Sequence, residues 1–161
     1  MRNAIRYQVA DPIQVGGLRL APENSARHAE TGVLAVEVVY TTDGGTRRAL
    51  EKAWALAQNL GVHVRLVFIY AVPYTLPLGK PAVSLAFLQN KLTKLAGGFS
   101  GEASVHIFLC RQASRSLQDA LPQSSLVVLG GRRHWLWPTK MQRLEKRLKK
   151  LGHHVVFAEL G

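Results

Sequence analysis

Residues 33–70, VLAVEVVYTTDGGTRRALEKAWALAQNLGVHVRLVFIY, decide the fold. The run 33–40 is apolar and β-branched almost throughout. That pattern suits a strand covered on both faces, as in a parallel sheet. Across residues 46–60, Ala49, Leu50, Ala53, Trp54, Ala57 and Leu60 recur at helical spacing and form one apolar face. Gly61 stands where a helix C-cap belongs. Residues 62–70 return to a strand pattern. Strand, helix and strand in so short a span make a β-α-β unit, with its strands parallel.

The same alternation continues outward. Pro73, Pro77 and Pro81 hold an extended loop. Residues 82–96 read as a helix with Leu85, Leu88, Leu92 and Leu95 on one stripe, ended by Gly97 and Gly98. A strand follows at 103–110, a short helix at 114–121 before Pro122, and a short apolar strand at 126–129. The last helix, 139–151, opens with Thr139 and Gln142 spaced for a capping box. Its core stripe is Met141, Leu144, Leu148 and Leu151, and Gly152 caps it. A fifth strand, 154–160, closes the chain. Five strands alternating with four helices predict an open, Rossmann-like α/β domain, with a parallel sheet and helices on both faces.

Residues 1–32 lack this periodicity. Pro12, Gly16, Gly17, Pro22 and Asn24 are turn formers, and the stretches around Tyr7 and Val15 are spaced for short extended pieces. The expected organisation is an arm at 1–32, outside the sheet, followed by the domain at 33–161. Apolar residues make up 47% of the 161 and charged residues 19%. This is enough to bury a core and too few charges for extended disorder. No apolar run approaches the ~20 residues that span a bilayer. Arg2 and Arg6 precede no signal-like apolar stretch. Cys110 is the only cysteine, which excludes an internal disulfide and a four-cysteine zinc site. A cytoplasmic setting is the expectation.

Charge is concentrated. Of a formal +11, the segment 131–150 carries +7, with eight basic residues against Glu145 alone. Such a patch attracts phosphates, nucleic acid, anionic lipid or an acidic protein, or is simply a solvated helix face.

With these elements in place, residues 33–70 resemble the first β-α-β unit of the universal stress protein superfamily. The stretch SSLVVLGGRRHW, 124–135, looks like that family's fourth strand entering its nucleotide loop. The resemblance spans residues 33–160. It implies strand order 3-2-1-4-5, frequent dimers and a role in stress response, with ATP or AMP bound in one branch. That branch carries Gly-x2-Gly-x9-Gly-Ser/Thr. Here Gly130 takes the first position, but Arg133, Arg143 and Leu144 take the others. The Asp that often ends the family's first strand aligns with Thr41. The motif is lost beyond its first glycine, so no cofactor is required; ATP or AMP stays a candidate ligand, without the family's tight site.

Two loops should meet where the winding reverses, outside the carboxyl ends of the first and fourth domain strands. Thr41, Asp43 and Gly44 come from one, and Gly130, Gly131, Arg132 and Arg133 from the other. Backbone N–H groups opening a helix can hold a phosphate, and arginines add bidentate contacts. Alternatively Gly44 and Gly45 make a tight turn, with Asp43 or Thr46 as N-cap. Glu37 in a central strand needs a partner, and Arg65 or His106 are candidates for a structural ion pair. The histidines lack metal-ligand spacings and Cys110 reads as a packed small residue. Trp135 and Trp137, before Pro138, suit a partner surface or a stacked base, or else cover the open end of the sheet. Lys140, Arg143, Arg147 and Lys150 would extend a partner surface.

The expectation is a non-catalytic, universal-stress-protein-like regulatory or assembly module that binds a nucleotide or another phosphate-containing anion weakly if at all. One alternative is nucleic-acid binding through the basic helix. Another is an accessory subunit held by the arm and the basic, tryptophan-bearing surface. Residues 154–160 are apolar and lack proline and lysine, so they should lie at an unprotected sheet edge. Association through that edge, as a homodimer or with a foreign subunit, is expected unless the arm folds back over it.

Overall fold

The computed structural model describes residues 5–10, 35–98 and 103–161. The elements in chain order are β1 (Ile5–Ala10), β2 (Ala35–Val39), α1 (Asp43–Leu60), β3 (His63–Ala71), α2 (Leu85–Ala96), β4 (Ala103–Cys110), α3 (Ala113–Ala120), β5 (Leu126–Gly131), α4 (Lys140–Lys150) and β6 (His154–Glu159). The sheet order is β1-β4-β3-β2-β5-β6, and every pairing is parallel. The five strands β2 to β6 thus stand in the expected order 3-2-1-4-5.

One strand departs from expectation. Ile5–Ala10, read as part of an arm outside the sheet, runs along β4 in register from Ile5 opposite Ala103 to Ala10 opposite Phe108. The free edge of β4 offers backbone groups that a short extended segment can satisfy, which is how exposed edges are commonly covered. The rest of the presumed arm, and its end near Gly32, lie outside the described residues.

Each sheet face has its own core. Val36, Val38, Val64, Leu66, Val105 and Ile107 pack against α1 and α2. Val39, Val67, Val127 and Leu129 pack against α3 and α4, through Leu117, Ala120 and Leu148. α1 begins at Asp43, three residues ahead of the expected start, and its N-cap is Thr42, whose side chain accepts from Gly45 N. This corrects the choice of Asp43 or Thr46. The glycines lie inside the first helical turn rather than before it. Thr139 and Gln142 form the expected capping box on α4. The stripe of α4 is altered, however: Leu151 is 46% exposed, while Glu145 is buried beside Leu148.

Winding reverses at β2, which pairs with β3 on one side and β5 on the other. The loops leaving β2 and β5 therefore start side by side at one end of the sheet.

Candidate functional site

The β2 and β5 loops meet, and they meet backbone to backbone. Thr41 Oγ1 donates to Gly130 O at 2.7 Å, and Thr41 N donates to Thr46 Oγ1 at 3.1 Å. Thr42 accepts from Gly45 N at 3.1 Å, so the first turn of α1 is capped from within. A Cβ added at Gly130 would fall 1.7 Å from Gly45 O, and one at Gly45 would fall 2.6 Å from Gly130 O. Glycine is required at both positions by this close approach. The helix start that would cradle a phosphate is seated directly on the end of β5.

Of the residues expected to gather here, Thr41 and Gly130 touch. Asp43 turns to other partners. Its Oδ1 accepts from Tyr40 Oη at 2.6 Å and pairs with Lys91 Nζ of α2 at 2.9 Å. The Tyr40 hydrogen bond, then that from Lys91, hold the Asp43 carboxyl below its ordinary pKa. A carboxylate thus sits at the positive end of the α1 dipole. Gly44 has open space apart from Leu160, 3.9 Å from where its Cβ would lie. Gly131 lies under the Met141 side chain.

Arg133 is committed elsewhere. Its Nη2 reaches both Glu145 oxygens, at 3.2 and 3.3 Å, and its guanidinium lies 4.5 Å over the Phe157 ring. Lys149 Nζ reaches the same carboxylate at 2.8 Å. These two cations account for the burial of Glu145, a role that a lone acid on a basic helix did not announce. Arg132 is exposed.

The loop from Arg132 to Thr139 is held shut at its base. Gln142 Oε1 accepts from Thr139 N at 2.8 Å and from His134 N at 3.2 Å, while its Nε2 donates to His134 O at 3.2 Å. Thr139 Oγ1 donates to Arg132 O at 3.3 Å. Beyond this clasp Trp135, Leu136 and Trp137 are 95%, 78% and 80% exposed. They do not cover the end of the sheet, which the β2 loop fills. Sequence spacing gave the tryptophans; the clasp depends on Gln142 serving the loop as well as the cap.

Glu37 is buried and accepts from Arg65 Nε at 2.7 Å, and Arg65 Nη2 donates to Ala120 O at 2.6 Å. Burial pushes the Glu37 carboxyl up, and Arg65 opposes that rise. Of the two partners expected for Glu37, the ion pair is made by Arg65. It lies against α3, under a helix, and joins β2, β3 and the end of α3. His153 is buried with Nδ1 2.9 Å from Ser125 Oγ, and burial lowers its pKa. Cys110 is buried, with Sγ 3.7 Å from Tyr70 O. Arg111, not singled out by the sequence, fastens the loop after β3 by donating to Val72 O, Pro73 O and Leu76 O. Among the described residues no group of three or more His, Cys, Asp or Glu is placed to hold a metal ion, and no helix is long and apolar enough to cross a membrane. An open groove of about 430 Å³ lies between α1 and β6, lined by Arg48, Glu51, Lys52, Phe157, Ala158 and Glu159.

No protein-family model matches the chain, and no curated protein matches it in sequence. The fold and its loops define the class to which it is assigned here: a doubly wound α/β domain with a parallel sheet.

Proposed function

We propose that this protein is a non-catalytic, universal-stress-protein-like module, regulatory or part of a larger assembly, in which the nucleotide site has been given up. The observation that carries the reading is the contact of Gly45 with Gly130. The ATP-binding branch of that family needs the β5 loop free to wrap phosphates. Here its first glycine is packed against α1, the second motif position is an arginine paired with Glu145, and the third lies inside α4. This arrangement argues against a tight, family-like ATP or AMP site, and Arg132 with the start of α1 offers a phosphate-bearing anion only a weak hold. The strand order of β2 to β6 supports the family resemblance. With its buried thiol the module suits the cytoplasm. Calorimetric titration of the full chain with ATP and with AMP tests the reading. The expected result is no binding in the micromolar range, and micromolar binding of either overturns it.

Assembly runs through the outer edge of β6, which no strand among the described residues covers. His154 N and Leu160 N donate inward to β5, so by ladder alternation the N–H groups of Val155 and Phe157 point outward. Val155→Pro removes one outward donor and no inward one. Light scattering should find the native chain associated and the variant dissociated. A native monomer that recruits no partner rules out this edge.

A further inference from the structure

We propose that the loop bearing Trp135, Leu136 and Trp137 docks the protein on an anionic phospholipid surface, with the three side chains entering the headgroup boundary and the start of α4 supplying the charge. The proposal does not depend on the fate of the nucleotide site.

Three consecutive large apolar side chains, each more than three-quarters exposed, form the most prominent apolar feature on the described surface. A contiguous apolar patch of this kind marks a site of protein or membrane contact. Two of the three are tryptophans, whose amphipathic rings favour the membrane–water boundary. The skirt around them is cationic. Arg132 precedes the tip, Lys140 and Arg143 follow it, and all three are exposed. The only acid in residues 131–150 is Glu145, buried and held between Arg133 and Lys149. No carboxylate in this segment is left to repel an anionic headgroup.

The loop is also preorganised. Gln142 clasps both of its stems and the Arg133–Glu145 pair anchors its start. Little ordering is left to be done on docking, which is where flexible loops lose affinity. Insertion of a short apolar tip together with basic attraction is the combination that holds peripheral proteins on anionic membranes.

Nucleic acid fits less well. Base stacking uses aromatic faces set along a groove whose cations track the backbone. Here the apolar residues form a projecting tip with Leu136 between the rings, and both faces of the sheet are occupied by helices.

The test uses the full chain with vesicles of phosphatidylcholine alone and with added phosphatidylserine, including acyl chains carrying bromine as a quencher. Trp54 is buried, so changes in emission report on Trp135 and Trp137. Binding to the phosphatidylserine vesicles is expected, with a blue shift and bromine quenching. Trp135→Ser with Trp137→Ser should weaken binding at least about tenfold. Lys140→Gln with Arg143→Gln should weaken it about twenty-fivefold, at about fivefold for each cation. All four positions are solvent-facing, and circular dichroism of the variants confirms the fold. The proposal is overturned by failure to bind phosphatidylserine vesicles, by binding that survives the tryptophan substitutions, or by binding without bromine quenching. Quenching of the same tryptophans by a single-stranded oligonucleotide, without vesicle binding, assigns the surface to nucleic acid instead.

Discussion

The loops that leave β2 and β5 begin as neighbours and end as opposites. The β2 loop collapses: its threonines bond inward, its glycines let α1 settle on Gly130, and its aspartate is taken by Tyr40 and Lys91. The β5 loop stands out, with its polar groups spent on a clasp and its apolar residues in solvent. In doubly wound sheets the crevice between two such loops is the usual place for a ligand. Here backbone contact fills it, and the exposed apolar side chains lie farther along the β5 loop. The position of a crevice in a fold therefore does not fix where binding chemistry lies; that depends on which polar groups remain unsatisfied and which apolar groups remain wet.

The largest effect should come from the collapsed side. Gly130→Ala puts a methyl group 1.7 Å from a backbone carbonyl, so α1 or β5 must shift. The expected cost is at least about 3 kcal/mol in urea denaturation. Gly131 is the control, because its added methyl would meet side chains and no backbone, Met141 at 3.1 Å and Phe157 at 3.5 Å, and should cost under about 1 kcal/mol. Gly44 lies in the first turn of α1 with nothing nearer than 3.9 Å, and its change to alanine should be neutral or stabilising by up to about 1 kcal/mol. Equal effects at the three glycines would break the comparison, since they would mean that the crevice is open in solution.

Much of this was legible in the sequence, for local reasons. Periodicity revealed the five strands and four helices, because burial on one stripe or on both faces leaves a one-dimensional trace. The Glu37–Arg65 pair followed from the cost of burying a lone carboxylate in a strand that reads as central. What was not legible depended on distance. Ile5–Ala10 looks like any weakly apolar stretch, and its partner β4 lies far along the chain. The Gly45–Gly130 contact joins two loops whose glycines each read as ordinary turn or phosphate-loop residues. Nothing local marked Glu145 for burial, because that burial depends on Arg133 folding back over Phe157.

A middle-sized effect should come from the clasp. Gln142→Ala removes the bonds to Thr139 N, His134 N and His134 O together. The capping box is lost with them, at about 1–2 kcal/mol. The more telling readout is local. Trypsin should cut after Arg132 and Arg133 faster in this variant than its loss of global stability accounts for. A cut rate that follows global stability alone would mean that Gln142 caps the helix without holding the loop.

The smallest effect on stability belongs to the tip, and its smallness is the point. Trp135 and Trp137 are 95% and 80% exposed, so replacing both with serine removes little packed surface. The expected change in denaturation midpoint corresponds to about 0.5 kcal/mol or less. Residues that serve folding are expensive to replace in proportion to what they bury, as Gly130 should show. Residues that serve an encounter are cheap in the isolated protein and expensive only in the complex. A loss of about 2 kcal/mol or more on substituting the pair would show that the tip is already packed in solution, against a second copy or another part of the chain. The contrast between a collapsed loop and a projecting one would then hold only for a single isolated chain. A stability that does not change, set beside a lost affinity for anionic vesicles, would separate the two loops by what each side chain is there to touch.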